Sequence, residues 1–421
     1  MKNLKDELQA RGLIDISSVT DISEITEGQK RTLYIGIDPT GDSLHIGHLL
    51  QFVLARHFLT FGHKVIVLIG GATGMIGDPS GKSEERILLD EDTLLKNSKS
   101  ICNQISSIFN KTEFDLVNNS DWISDLKFVS FLRDVGKHFT VGALLQKESV
   151  KTRLESGNGI SYTEFSYSLI QSYDYYHLYK NHGCTLQIGG SDQWGNISTG
   201  IDFVRRKTSD KVFGLASPLV VDKDGRKLGK TAPGGAVWLD SQKTSPYKFY
   251  QFWLNVDDEI VCKYLRLFTF VPVSEIDQIE KSHKISPQNR LAQLTLAQEM
   301  TSMLHGEEKS QTVKRVSELL FGSTEFYNLS ADEQNILADE ISTVNVSKSE
   351  VEIGVPLVDV LTRSGLASSK TEAGRLIKEG SISLNNTKKT VQDAVVSMGD
   401  FAGRILLLKK GKKNFACVKI K

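Results

Sequence analysis

Thr32-Leu33-Tyr34-Ile35-Gly36-Ile37-Asp38-Pro39-Thr40-Gly41-Asp42-Ser43-Leu44-His45-Ile46-Gly47-His48 runs from an apolar segment through a polar turn into the start of a helix. Thr32 to Ile37 reads as a short buried strand, closed by the Asp38-Pro39 pair. Leu49 to Phe61 reads as a helix, and Lys64-Val65-Ile66-Val67-Leu68-Ile69, ending in Gly70-Gly71, as a second strand. Strand, helix, strand within about 40 residues predicts a βαβ unit and hence a Rossmann-type parallel sheet. His45-Ile46-Gly47-His48 then falls where loop becomes helix. Gly47 permits close approach of a ligand there, and unpaired helix N–H groups can face phosphate.

Further along, Ser161 to Lys180 predicts a tyrosine-rich helix, and Thr185 to Ile188 a strand followed by Gly189-Gly190. Ligands of such sheets bind at the carboxyl ends of strands, where these motifs fall. After Asp240 the pattern turns to amphipathic segments, roughly Pro246 to Gln251, Asp257 to Thr269, Ile276 to Ser282 and Pro287 to His305. The fold class expected is α/β: a Rossmann-type parallel-sheet domain over residues 1–240, an α-helical domain over 241–330, a polar linker over 331–352, and a small α+β domain over 353–421. In the last of these, Ser369-x-x-Glu372 predicts a capping box opening a helix that ends near Gly380, with Arg375 and Lys378 on one face. Asn385-Asn386 predicts a turn between short strands.

At 421 residues and 39% hydrophobic composition the chain can bury a large core in two or three domains. Lysine plus arginine and aspartate plus glutamate both number 51, but the balance is uneven. Residues 353–421 hold 13 Lys or Arg against 5 Asp or Glu, a net +8, so the remainder carries −8. A basic end on an acidic body predicts a polyanionic partner held at that end. No apolar run reaches the length of a membrane span, and Met1 to Leu8 lacks the features of a signal peptide. Cys102, Cys184, Cys262 and Cys417 are too dispersed for a disulfide framework or a zinc knuckle. The expectation is a cytoplasmic protein with no membrane contact and no protein-bound zinc.

Lys227-Leu228-Gly229-Lys230-Thr231 stands between Asp222-Lys223-Asp224-Gly225 and Pro233-Gly234-Gly235, a flexible setting for two lysines. With the histidine motif it reads as one ATP site in two halves. Converting a carboxylate and ATP to an acyl adenylate requires charge to be stabilised on the phosphates as pyrophosphate leaves. Gly77-Asp78-Pro79-Ser80-Gly81-Lys82-Ser83 is one residue too short between its glycines for a Walker A loop. Lys82 and Arg86 can still reach phosphate oxygens. Tyr167, Gln171 and Asp174, at i, i+4 and i+7, present a phenol, an amide and a carboxylate on one helical face, a pattern suited to an amino-acid pocket.

The paired signatures resemble class I aminoacyl-tRNA synthetases, whose second motif is usually written KMSKS; here Leu228, Gly229 and Thr231 depart from it and both lysines remain. Tyr34-x-Gly36-x-Asp38-Pro39-Thr40, Gly77-Asp78-Pro79-Ser80-Gly81-Lys82, Tyr167-x-x-x-Gln171-x-x-Asp174 and Gln187-Ile188-Gly189-Gly190-Ser191-Asp192-Gln193-Trp194 together look like the bacterial tyrosyl-tRNA synthetase family, in order along essentially the whole chain. The resemblance implies that Tyr34 and Asp174 read the substrate phenol and that Asp78, Tyr167 and Gln171 hold its ammonium group, with Asp38 and Gln193 beside them. It places Gly36, Gly190 and Asp192 near the ribose, Thr40 and His45 at the γ-phosphate, and Gly47 and His48 near the nucleotide. Lys82, Arg86, Lys227, Lys230 and Thr231 would meet the phosphates, with Mg²⁺ on them. Ile35 and Gln51 occupy nucleotide-side positions where members vary. The implied partners are tyrosine, ATP, the tyrosine tRNA and a second copy of the chain, met through Phe128 to Leu154.

From Ile353 onward, Pro356-Leu357-x-Asp359-x-Leu361 and Ser368-Ser369-Lys370-x-Glu372-Ala373-x-Arg375-Leu376-Ile377-Lys378-x-Gly380 resemble the RNA-binding domain named after ribosomal small-subunit protein four. Arg375, Lys378, Lys409, Lys410, Lys412 and Lys413 are the expected phosphate contacts. Two other functions fit parts of the pattern. A tryptophanyl enzyme shares the architecture, but its indole only donates, against the phenol-reading Tyr34 and Asp174. A non-catalytic RNA-binding protein has no need of the histidines and lysines.

Overall fold

The computed structural model describes residues 3–80, 88–109, 113–155, 157, 159–228, 235–321, 326, 329–391, 394–411 and 414–421. Six strands, β1 (Ile16–Ser17), β2 (Thr32–Ile37), β3 (Lys64–Ile69), β4 (Asp115–Asn118), β5 (Cys184–Gly190) and β6 (Phe213–Ser217), form one sheet in the order β1-β6-β5-β2-β3-β4. All neighbours are parallel except β1, which runs antiparallel to β6. The chain builds outward from β2 to β3 and β4 on one side and from β5 to β6 on the other. The β2/β5 boundary is therefore the switch point where a crevice opens at the strands' carboxyl ends.

Five helices matter for that crevice: α1 (Ile46–Thr60), α2 (Gly71–Ile76), α3 (Glu91–Ile108), α4 (Tyr162–His182) and α5 (Trp194–Thr208). Helix α1 begins three residues earlier than its apolar pattern predicts, because the two histidines cap it. The His45 Nδ1 accepts from the Gly47 N–H at 3.1 Å, and the His48 Nδ1 accepts from the His45 N–H at 3.2 Å. Helix α4 is capped by Ser161 and stopped by Gly183 in the left-handed region. It is tied to β6 by Tyr175, fully buried, whose hydroxyl donates to the Phe213 carbonyl at 2.7 Å and accepts from the Phe213 N–H at 3.2 Å. Tyr34, Ile66, Leu68, Leu178, Val204 and Val212 pack around that tyrosine from strands and helices on the same side.

The chain divides into two units, Met1–Thr244 with Asn255–Leu304, and Ser245–Leu254 with His305–Lys421. The helical segment expected as its own domain is thus shared out. Helices Val261–Phe268 and Val273–Ile285 belong with the parallel sheet, where buried Arg11 of the helix Leu4–Arg11 donates to the carbonyls of Thr269 at 2.8 Å and Val271 at 2.7 Å. Helix Pro246–Leu254 belongs to the second unit, where Gln251 Nε2 donates to Ser317 Oγ at 2.8 Å on helix Glu307–Phe321.

The stretch expected as a linker is folded. It carries the helix Ala331–Glu340, strand β7 (Ser342–Val346) and the helix Lys348–Ile353, the helices opened by capping boxes at Ser330/Glu333 and Ser347/Glu350. With β8 (Val355–Pro356), β9 (Ile382–Leu384), β10 (Thr387–Lys389), β11 (Val395–Val396), β12 (Ile405–Lys410) and β13 (Asn414–Ile420), it completes the C-terminal fold. The sheet order is β10-β9-β12-β13-β7, with β7 parallel to β13 and Val344 and Val346 in the core beside Leu406, Leu408 and Val418. Asn385 and Asn386, both at positive φ, make the β9–β10 turn as expected. Ser369 caps the helix Lys370–Lys378, but Glu372 does not close a capping box; its carboxylate accepts from the Ser368 N–H and hydroxyl instead. Among the described residues, no helix is long and apolar enough to cross a membrane.

Replacing Tyr175 with Phe deprives the buried Phe213 amide and carbonyl of their shared partner while keeping the ring. A loss of roughly 1–3 kcal/mol is expected, read as a lower denaturant midpoint at unchanged slope. An unshifted midpoint would show that this bridge does not hold α4 to the sheet.

Candidate active site

A cavity of about 410 Å³ opens at the carboxyl ends of β2 and β5. At its deep end Asp174, 1% exposed, accepts hydrogen bonds on both oxygens: from Asn119 Nδ2 at 3.0 Å and from Trp122 Nε1 at 2.8 Å. Asn119 follows β4 and is fixed by the Ala72 N–H, which donates to its Oδ1 at 2.8 Å. The face of Trp122 is covered by His177, stacked at 4.3 Å between ring centroids. Asn119 Nδ2 also reaches Thr73 Oγ1 at 3.0 Å; the Thr73 hydroxyl donates to Asp38 Oδ1 at 2.7 Å, and the Tyr167 hydroxyl to Asp38 Oδ2 at 2.8 Å. One polar chain therefore joins α4, α2, β2 and the end of β4. Gly70 makes room for it, since a Cβ there would sit 2.0 Å from Asp38 Oδ1.

Burial pushes the Asp174 carboxyl up to about 7, against the downward pull of Asn119 and Trp122, with the Asp38 charge adding to the rise. Beside it Tyr34, 1% exposed, has no hydrogen-bond partner for its hydroxyl among the described residues, and burial holds that hydroxyl well above the usual phenol range. The Gln171 and Gln187 carbonyls are likewise buried without partners among the described residues. A buried polar group left unmatched is costly, so this end is complementary to a ligand hydroxyl that donates to Asp174 and accepts from Tyr34. Nearer the mouth, Asp78 accepts from Gln193 Nε2 at 2.6 Å and from the Ser80 N–H at 3.0 Å. With Asp38 it gives the cavity two carboxylates suited to a cation.

The opposite wall is the start of α1. Each histidine ring accepts a backbone N–H on Nδ1, so the neutral ring carries its proton on Nε2, and the rings stack at 3.9 Å. Both line the cavity as hydrogen-bond donors, together with Gly36, Thr40, Gln51, Gly190 and Asp192. Gly47 lines the cavity and carries a further constraint. A Cβ there would lie 2.7 Å from the Leu228 carbonyl, so its closest constraint is the segment leading into the lysine loop. Lys227 approaches Asp192 at 3.5 Å. Lys82, Arg86, Lys230 and Thr231 lie outside the described residues.

In the second unit Arg375 and Lys378 are exposed on one helix face, as expected. Lys409 and Lys410 are committed internally: Lys409 Nζ donates to the Leu320 carbonyl at 3.1 Å, and Lys410 Nζ to the Leu366 carbonyl at 2.9 Å and to Glu372 at 3.1 Å. Lys412 and Lys413 lie outside the described residues. Asn119 and Trp122 carry no motif that points to them in the sequence, although Asn118-Asn119 ends a parallel strand, the position from which such sheets offer ligand-binding side chains.

The family model for class I tRNA synthetases of the tryptophan and tyrosine type matches residues 26–322. The chain belongs to that family. A second model, for the C-terminal domain of tyrosine–tRNA ligases, matches residues 333–418, which takes in β7 and the helices flanking it. The tyrosine–tRNA ligase of Roseiflexus castenholzii is 43% identical over 426 residues, and that of Flavobacterium psychrophilum 45% identical over 433, with 100% of both chains covered in each case. Among solved structures, a C-terminally truncated mitochondrial tyrosyl-tRNA synthetase from Aspergillus nidulans superposes with a TM-score of 0.69 at 32% identity, over 76% of this chain and 95% of that one.

Trp122→Phe takes away one of the two hydrogen bonds that favour the Asp174 carboxylate. Asp174 should then titrate above its present value of about 7, as followed by carboxyl-carbon NMR across neutral pH. A midpoint that stays in place would mean the indole bond does not act on this carboxylate.

Proposed function

We propose that this chain is a tyrosine–tRNA ligase, which activates L-tyrosine with ATP to tyrosyl adenylate and pyrophosphate and then transfers tyrosine to the 3′-terminal adenosine of its tRNA. The observation that carries the reading is the pairing of Asp174, fixed as an acceptor, with the unmatched hydroxyl of Tyr34 at the cavity's deep end. A phenol both donates and accepts, so it satisfies both groups. Phenylalanine leaves the Tyr34 hydroxyl unmatched and brings Asp174 no further donor, and an indole can only donate. Strong rejection of phenylalanine on this ground is already an established property of tyrosyl-tRNA synthetases as a class. The full-length relatives support the same substrate.

The ammonium group is held by Asp78, Tyr167 and Gln171, with Asp38 and Gln193 completing the surroundings. A tyrosine carboxylate oxygen attacks the α-phosphorus, and the bond to the bridging oxygen breaks as pyrophosphate leaves. The chain supplies no covalent nucleophile to this step; it aligns the reactants and stabilises the developing charge. Thr40, with the Nε2–H groups of His45 and His48, serves the phosphates from one side. Lys82, Arg86, Lys227, Lys230 and Thr231 serve them from the other. Mg²⁺ would come bound to the triphosphate and would offset part of its charge. Gly36, Gly190 and Asp192 bound the ribose.

The chain acts in the cytoplasm as a homodimer. Phe128 (68% exposed), Val129 (75%) and Val141 (63%), with Leu132, Leu145 and Leu154, leave an apolar surface between β4 and α4 that a second copy covers. The basic C-terminal unit, with Arg375 and Lys378 foremost, holds the tRNA backbone.

The Asp174 carboxyl gives tyrosine binding a definite pH dependence. Below about 7 it is protonated in the free protein, and a phenol that donates to it requires it ionised, so binding releases a proton. Affinity should rise with pH, with a dissociation constant about tenfold weaker at pH 6 than at pH 8 by linkage. Calorimetric titration of Asp174→Asn should be flat over that range, and a flat wild-type profile would argue against the phenol contact.

A chain ending at Leu329 keeps Pro246–Leu254 together with Glu307–Phe321 but lacks the C-terminal sheet. It should form tyrosyl adenylate at a near-normal rate in pyrophosphate exchange, charge tRNA poorly, and show a flatter salt dependence of tRNA affinity. Charging at the full-length rate at matched salt would remove the C-terminal sheet from RNA binding.

A further inference from the structure

We infer that Trp238 is a positioning residue for His45, acting on adenylate formation without touching either substrate. The two residues face each other across an antiparallel β-bridge just before α1. Its bonds run from the Ile46 N–H to the Val237 carbonyl at 3.1 Å and from the Leu239 N–H to the Leu44 carbonyl at 2.8 Å. The indole meets the His45 imidazole edge-on, with 6.1 Å between centroids and 63° between planes.

Trp238 is itself held. Lys243 Nζ sits 5.0 Å from the indole centroid and pairs with Asp42, three residues before His45. The Trp238 backbone N–H donates to Thr244 Oγ1 at 2.9 Å. The His45 ring is thus bounded on one face by His48 and at an edge by Trp238, while the Gly47 N–H on Nδ1 bears on its tilt. A neutral hydrogen bond at a helix cap is by itself a soft restraint for a group that must aim Nε2–H at a phosphate. The indole adds a restraint by packing, and it is absent from the cavity lining, so its influence has to pass through His45. Neither histidine motif nor lysine loop contains Trp238, which is why the sequence signatures pass over it.

The inference rests on the reading of His45 as a phosphate donor, and a double-mutant cycle separates the two claims. Trp238→Ala should slow adenylate formation in single-turnover assays about tenfold, within the coupling seen for neighbouring side chains, with tyrosine affinity unchanged. Trp238→Phe, which keeps an aromatic edge, should recover most of the rate. In a His45→Ala background, adding Trp238→Ala should cost nothing further. Multiplying effects in the double variant, or tyrosine affinity falling in step with the rate, would overturn the positioning role. A His45→Ala protein that forms adenylate at the wild-type rate would instead overturn the role of His45, and the inference with it.

Discussion

A carboxylate buried at the bottom of a cavity is the constraint on which the amino-acid half of this molecule depends. Asp174 is costly to ionise where it sits, and the fold answers with two donors drawn from beyond β4. Each donor is in turn fixed: Asn119 by the α2 backbone and Trp122 by the stacked ring of His177. The same asparagine hands its second contact to Thr73 and so to Asp38. The Asp174 and Asp38 carboxylates are therefore parts of one network. Networks of this kind are rigid only when nearly every member is satisfied. The buried groups left over, the Tyr34 hydroxyl and the Gln171 and Gln187 carbonyls, are the ones a ligand can match.

At the start of α1 the constraint is of another sort. A helix start must satisfy its own N–H groups, and in most proteins serine, threonine or aspartate does so. Here histidines take that position, and capping fixes their chemistry: with Nδ1 occupied by a backbone N–H, each neutral ring can only donate from Nε2. Local structure thus selects the tautomer useful to an anion. Gly47 lets the Leu228 backbone close on this turn, which brings the base of the lysine loop alongside the histidines without any side chain between them.

The parallel-sheet architecture was legible because its signals are local. A six-residue apolar strand, a Gly-Gly strand end and histidines at a helix start are each visible in a window of a few residues, and β2, β3 and β5 lie where those windows put them. Asn119 and Trp122 were not legible, since what brings them to Asp174 is β4 landing beside β3, a long-range pairing that no local pattern encodes. The stretch 331–352 misled for the opposite reason. Its polar composition reads as solvent-facing chain, yet two short capped helices and a strand at the end of the sheet need few apolar residues: Leu337, Val344, Val346 and Val351 suffice to seat them. The helical segment was split between units because contacts such as those of Arg11 with the Thr269 and Val271 carbonyls cross more than 250 residues of sequence.

Counting charges also proved a different matter from finding contacts. The +8 balance of residues 353–421 stands wherever the individual lysines point, and it sets the long-range field that draws in a polyanion. Close contact requires a cation with its hydrogen bonds to spare. Lys409 gives one of its donors to the carbonyl end of the helix Glu307–Phe321, a favourable place for a cation. Lys410 is shared between Leu366 and Glu372, whose carboxyl is held down to about 2 by Ser368 and then by this lysine. Both lysines work first on the fold of the unit. Arg375 and Lys378, in the last turn of an amphipathic helix whose other face is buried, keep their side chains at the surface, where Arg375 has Glu379 at 3.5 Å, so the field and the exposed cations come from overlapping but distinct sets of residues.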